Sequence, residues 1–98
     1  MRVRILEEAE REIAEAGRHY DDLAAGLGER FRAEVWRSLA WVRDNPAVPP
    51  LRAKGYRRVN CRVFPYYIAY MEWADVIWVL AVAHVRRRPE YWSDRPLH

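Results

Sequence analysis

His84 is followed at once by Val85-Arg86-Arg87-Arg88-Pro89-Glu90-Tyr91-Trp92, so an imidazole, three guanidiniums and two aromatic rings share one short stretch. An imidazole exchanges a proton near neutral pH and can act as general acid or base. Guanidiniums grip phosphate oxygens through paired hydrogen bonds, and an aromatic face can stack on a nucleobase. Such a group of residues suits a polyanion. Lys54, Arg58 and Arg62 add cations earlier in the chain. The candidate contacts to phosphate, or to an acidic protein segment, are therefore Lys54, Arg58, Arg62, Arg86, Arg87 and Tyr91. Against this stand plainer roles: a solvated arginine run, and Tyr91 and Trp92 packed over a sheet edge.

The segment that delivers His84, from Val76 to Val85, is apolar on both faces, as a central strand covered on each side must be. Before it, Val59, Cys61 and Val63 alternate with Arg58, Asn60 and Arg62, which describes a strand with one buried face and one basic face. Pro65 separates that strand from the next, Tyr66 to Trp73, and Ala74-Asp75 supplies a tight connection onward. Upstream the period changes to 3.6. Ala9, Ile13, Ala16, Tyr20, Leu23 and Leu27 trace one helical face, with Glu7, Glu8, Glu10 and Glu12 in the first turns, where the helix dipole favours acids. Gly26 and Gly28 offer the left-handed geometry that closes one helix and opens another. Phe31, Val35, Leu39 and Val42 then mark a second helix, ended by Asn45-Pro46.

Residues 2 to 6 read as a short first strand, and Ala47 to Gly55 as a loop carrying Arg52 and Lys54. The order is βααβββ, an α+β fold in which an antiparallel helical hairpin packs on one face of a mainly antiparallel four-stranded sheet. The other face should carry Arg58, Asn60 and Arg62, with His84 and Arg86 to Arg88 beside them at the strand end. Asp21-Asp22 reads as wet helix surface and Cys61 as core.

At 98 residues the chain has the size of a single domain, taken as 1–98. A hydrophobic content of 51% with five tryptophans suffices for a core and argues against disorder. The net charge of +3 favours nucleic acid or an acidic protein as partner. One cysteine excludes an internal disulfide and a cysteine-based metal site, which suits a reducing cytosol. No run of about 18 apolar residues is present to span a membrane, and Met1-Arg2-Val3-Arg4-Ile5 leads into acidic sequence without a signal-peptide core. A cytoplasmic protein without membrane association, metal or cofactor is expected.

With these elements in order, the chain resembles the RelE/ParE superfamily of toxins from bacterial type II toxin-antitoxin modules. The resemblance rests on the Phe31-centred second helix, Asn45-Pro46, Leu51-Arg52 through Tyr56-Arg57, Val63-Phe64-Pro65-Tyr66 with Ile68 and Tyr70, and His84 through Trp92. It implies a growth-inhibiting toxin of the kind that stabilises plasmids, bound as a hetero-oligomer by a cognate antitoxin that is acidic and partly disordered.

Members of this superfamily act in two ways. Some cleave mRNA on the ribosome without a metal; in that case His84, Arg87 and Arg62 are the catalytic candidates, as acid or base and as cations for the phosphorane. Others bind DNA gyrase and need no such constellation. Laid on the mRNA-cleaving relatives, Tyr67 and Val85 fall where those carry arginines, and Arg58 and Asn60 match their lysine pair only loosely. The expectation is a toxin that binds an essential target such as gyrase, with a ribosome-dependent mRNA endonuclease as the alternative and a degenerate, non-toxic family member as a third.

Overall fold

A computed structural model describes residues 1–97 of the chain. The elements run β1 (Arg2–Ile5), α1 (Glu7–Leu23), α2 (Leu27–Asp44), β2 (Arg57–Asn60), β3 (Tyr66–Trp73) and β4 (Val76–His84). The four strands form one sheet in the order β1-β4-β3-β2. β3 and β4 form an antiparallel hairpin through Ala74-Asp75, both at positive φ (54° and 62°), and β2 adds antiparallel to β3. β1 is the exception: it runs parallel to β4, Arg2 to Ile5 beside Val76 to Val79. The helical hairpin carries the chain across the sheet from the β1 edge to the β2 edge, and β2 and β3 then lead back to β4 beside β1, the long connection a parallel pairing requires.

Ala9, Ile13 and Ala16 are the buried stripe of α1, with Tyr20 partly buried, and Phe31, Val35, Leu39 and Val42 that of α2, as the spacing predicts; Leu23, expected on the α1 stripe, is exposed at the helix end, and Leu27 opens α2. Val42 meets Tyr70 and Ile77 of the sheet, with Val3 and Val59 around them. At the other end of α2, Phe31 and Tyr20 pack their rings against Phe64 and Tyr66. Every residue of β4 from Val76 to Ala83 is buried. Its second face is covered by the chain's own return: the Trp92 indole donates to the Tyr67 hydroxyl at 3.1 Å and stands edge-on to Tyr56 at 4.6 Å between centroids.

Two expectations change in detail. Gly26 takes the left-handed conformation (φ 85°), whereas Gly28 lies within α2 and serves close approach. A Cβ built on Gly28 would stand 2.2 Å from the Gly17 carbonyl oxygen and 2.6 Å from the Asp21 carboxylate. Asp21 is accordingly more than wet surface, since its Oδ1 accepts the Gly28 N–H at 2.8 Å and caps an orphan amide at the start of α2.

The second change concerns β2, which stops at Asn60, so Arg62 is not on the strand. Val63 sits at φ 73°, the Cys61 amide bonds the Tyr66 carbonyl, and the Tyr66 amide bonds the Phe64 carbonyl, closing a tight loop ahead of β3. Pro65 has no amide to continue a ladder. The Arg62 N–H turns instead to Glu34 Oε2 at 2.6 Å.

Candidate functional site

His84 ends β4 on the helix-facing side, paired with Tyr66 and edge-on to its ring at 5.1 Å. Its Nδ1 accepts the Arg86 N–H at 3.0 Å, and its carbonyl accepts the Arg87 N–H at 3.1 Å. In this geometry the ring proton sits on Nε2. Around it lies a cavity of about 180 Å³, lined by Glu15 and His19 of α1 and by Tyr66, His84, Arg87 and Tyr91. The Arg87 guanidinium lies 3.8 Å above the Tyr91 ring. His84, Arg87 and Tyr91 thus form one group, while Arg86 is exposed and meets His84 through its backbone.

Arg58 belongs to the other side of the sheet. It lies 3.8 Å from the centre of the Tyr67 ring and donates to Asn60 Oδ1 at 3.1 Å. Tyr66 and Tyr67 are consecutive strand residues and point to opposite faces, so the body of the sheet separates Arg58 from His84.

Lys54 is elsewhere again, 3.3 Å from Glu90 Oε1, whose second oxygen accepts the Tyr56 hydroxyl at 2.9 Å. That hydroxyl, more than burial, sets the charge state of Glu90: its hydrogen bond, with Lys54 beside it, holds the carboxyl below the usual range. Arg62 stands by α2, sharing a surface hollow with Arg30, Glu34 and Arg37. The single basic site that alternation predicts is therefore corrected to four separate placements. Among the described residues, no group of three His, Cys, Asp or Glu side chains is placed to hold a metal ion, and no helix is long and apolar enough to cross a membrane.

The polar centre that organises the neighbourhood of His84 is Glu12. Its carboxylate accepts the Val82 N–H at 3.1 Å, N–H groups of both Arg95 terminal nitrogens at 2.9 and 3.0 Å, and the Tyr91 hydroxyl. Arg95 also donates to the Leu80 carbonyl at 2.9 Å. β1 is too short to pair with this stretch of β4, so Glu12 and Arg95 satisfy edge groups that would otherwise be orphaned. Burial, and then the bond to Glu12, push the Tyr91 phenol up and keep it neutral.

Neither Glu12 nor Glu34 stands out as a motif, yet the sequence holds a signal for both. Each falls three residues after a buried residue and one before another, Ala9-Glu12-Ile13 and Phe31-Glu34-Val35. A carboxylate on a core-facing stripe needs partners.

A two-helix hairpin over this four-stranded mixed sheet, with a basic end after the last strand, is the fold of RelE/ParE-type toxins. Residues 3–89 match the model of the ParE toxin of the type II toxin-antitoxin system parDE, and the chain belongs to that family. Its fold is similar to that in a solved structure described as the chromosomal ParDE toxin-antitoxin system from P. aeruginosa. The TM-score is 0.66 at 17% identity, over 86% of this chain and 95% of that one. No curated protein matches the chain.

Proposed function

We propose that the chain is the toxin of a type II module that arrests bacterial growth in the cytoplasm by binding an essential target such as DNA gyrase. The observation that carries this reading is the dispersal of the would-be catalytic groups. Cleavage by 2′-hydroxyl attack requires base, acid and phosphate-binding cations around one phosphate, within hydrogen-bond reach of it. Of the catalytic candidates, His84 and Arg87 share one cavity, but Arg62 sits apart against α2, and Arg58, the further cation, faces away from the helices. A binding toxin needs no such convergence.

The cognate antitoxin, acidic and partly disordered, would form the hetero-oligomer that neutralises it. Two exposed tryptophans of α2 support this partner. Trp36 borders a groove of about 490 Å³ between α2 and β1, rimmed by Arg2 and Arg43. Trp41 borders a second hollow of about 270 Å³ toward β2, beside Arg37 and Arg62. Apolar floors with cationic rims suit an amphipathic acidic segment.

The test pairs two measurements after brief induction in a host lacking the antitoxin: DNA supercoiling by gyrase and the 5′ ends of messages. Inhibited supercoiling with intact messages is expected, and His84→Ala should still arrest growth. New message ends at fixed codon positions, abolished by His84→Ala, would replace this reading with the ribosome-dependent endonuclease. Growth without arrest would mark a degenerate member.

A further inference from the structure

Charge is segregated along the chain to an extent that the net +3 hides. Residues 7 to 22 of α1 hold seven acids and two cations, whereas residues 52 to 88 hold eight cations and two acids. Those two acids, Glu72 and Asp75, lie at the β3–β4 turn, while Arg86 to Arg88 leave the sheet at its opposite end, where Tyr66 pairs with His84. Six residues of strand separate the two ends, about 20 Å.

Arg86, Arg87 and Arg88 are exposed, and none forms a salt bridge among the described residues. Glu12 and Glu15 of α1 border Arg87 in the His84 cavity, so the guanidiniums of Arg86 and Arg88 are the ones left to attract phosphates.

The aromatic residues decide which polyanion it fits. Single-stranded nucleic acid is held by stacking its bases on open aromatic faces. Here the rings are already occupied: Trp92, Tyr67 and Tyr56 are 2, 4 and 5% exposed, and the Tyr91 ring carries the Arg87 guanidinium. What is left for a ligand is guanidinium without a stacking platform, which reads a duplex backbone and not its bases.

We propose that the exposed Arg86–Arg88 run at this end of the sheet docks on the phosphates of duplex DNA held by the target enzyme, an inference that rests on the gyrase reading. The toxin then recognises gyrase with its DNA in place, and the duplex supplies part of the contact surface.

A labelled random-sequence duplex, titrated with the purified chain over a range of salt concentrations, tests the contact without gyrase. Binding should weaken steeply with salt, and the double variant Arg86→Gln/Arg88→Gln should flatten the log–log salt slope by roughly 2, one counterion per lost phosphate contact. The same variant should retain antitoxin binding and lose growth arrest. No binding to the duplex, or an unchanged slope in a folded variant, would overturn the proposal. So would preference for single-stranded RNA, or a loss of antitoxin affinity in place of duplex affinity. Capture of gyrase by the wild-type chain, with and without DNA, is scored separately. Failure to capture either form sinks the gyrase reading, whereas equal capture of both sinks only the DNA contact.

Discussion

Glu12 is the residue on which most of the C-terminal end depends, because one carboxylate with 13% side-chain exposure serves Val82, Tyr91 and Arg95 together. Breaking a largely buried pair leaves an uncompensated charge as well as a lost bond. Glu12→Ala should therefore cost about 3 to 5 kcal/mol in urea unfolding, and Glu12→Gln distinctly less, since an amide oxygen can still accept the Val82 N–H. Glu34 gives a pH signature. Its hydrogen bond from Arg37, against some opposition from burial and with help from the Arg62 amide, holds it below its ordinary value of 4.5. Its stabilisation is complete above that value and disappears as pH falls through the lowered one. The wild-type unfolding midpoint should drop below pH 4.5 more steeply than that of Glu34→Gln. Cys61 is pushed up to about 11 by burial, so its thiol stays protonated at neutral pH. Thiol reagents at pH 8 should modify it slowly in the native protein and quickly in denaturant, because the thiolate is the reactive form.

At the level of elements, periodicity placed both helices, the β3–β4 hairpin and the all-buried last strand, because each answers to a local rule of spacing or turn chemistry. For contacts that join distant segments, a carboxylate on a core-facing stripe announces that it needs a partner but not which one. Nothing near Glu12 in sequence announces Arg95, and nothing near Arg62 announces that its amide will bond Glu34. The buried face expected of Val59, Cys61 and Val63 fails at Val63, which lies beyond β2 and is 88% exposed, where its left-handed backbone and Pro65 turn the chain. This is why the candidate site read as one basic face and proved to be several. The helix pairing yields its own test. Gly28→Ala drives a methyl into the Gly17 carbonyl and the Asp21 cap, and should destabilise the fold by about 1 to 3 kcal/mol. Gly17→Ala meets only the far end of the flexible Arg32 side chain and should cost less, which thermal unfolding of the two variants will compare.

Across the whole molecule, the core is closed and the surface is not. Trp36, Trp73, Val48, Leu51 and Val63 are each more than half exposed, which is a large apolar load for a small monomer. Made alone the chain should be poorly soluble; co-expressed with its antitoxin it should be soluble and melt higher, as any ligand selective for the native state requires. The parallel pairing of β1 with β4 has a further consequence, in the order of events during synthesis. Arg2 finds its neighbour only at Val76, and Glu12 meets Arg95 across nearly the whole chain. Contacts so far apart in sequence form slowly, and the sheet cannot close until most of the polypeptide has left the ribosome. A message cut short or a stalled ribosome would yield a fragment with both helices but an open sheet, incapable of presenting its arginines. Only the full-length chain, with β4 laid between β1 and β3, can therefore carry the arginine end.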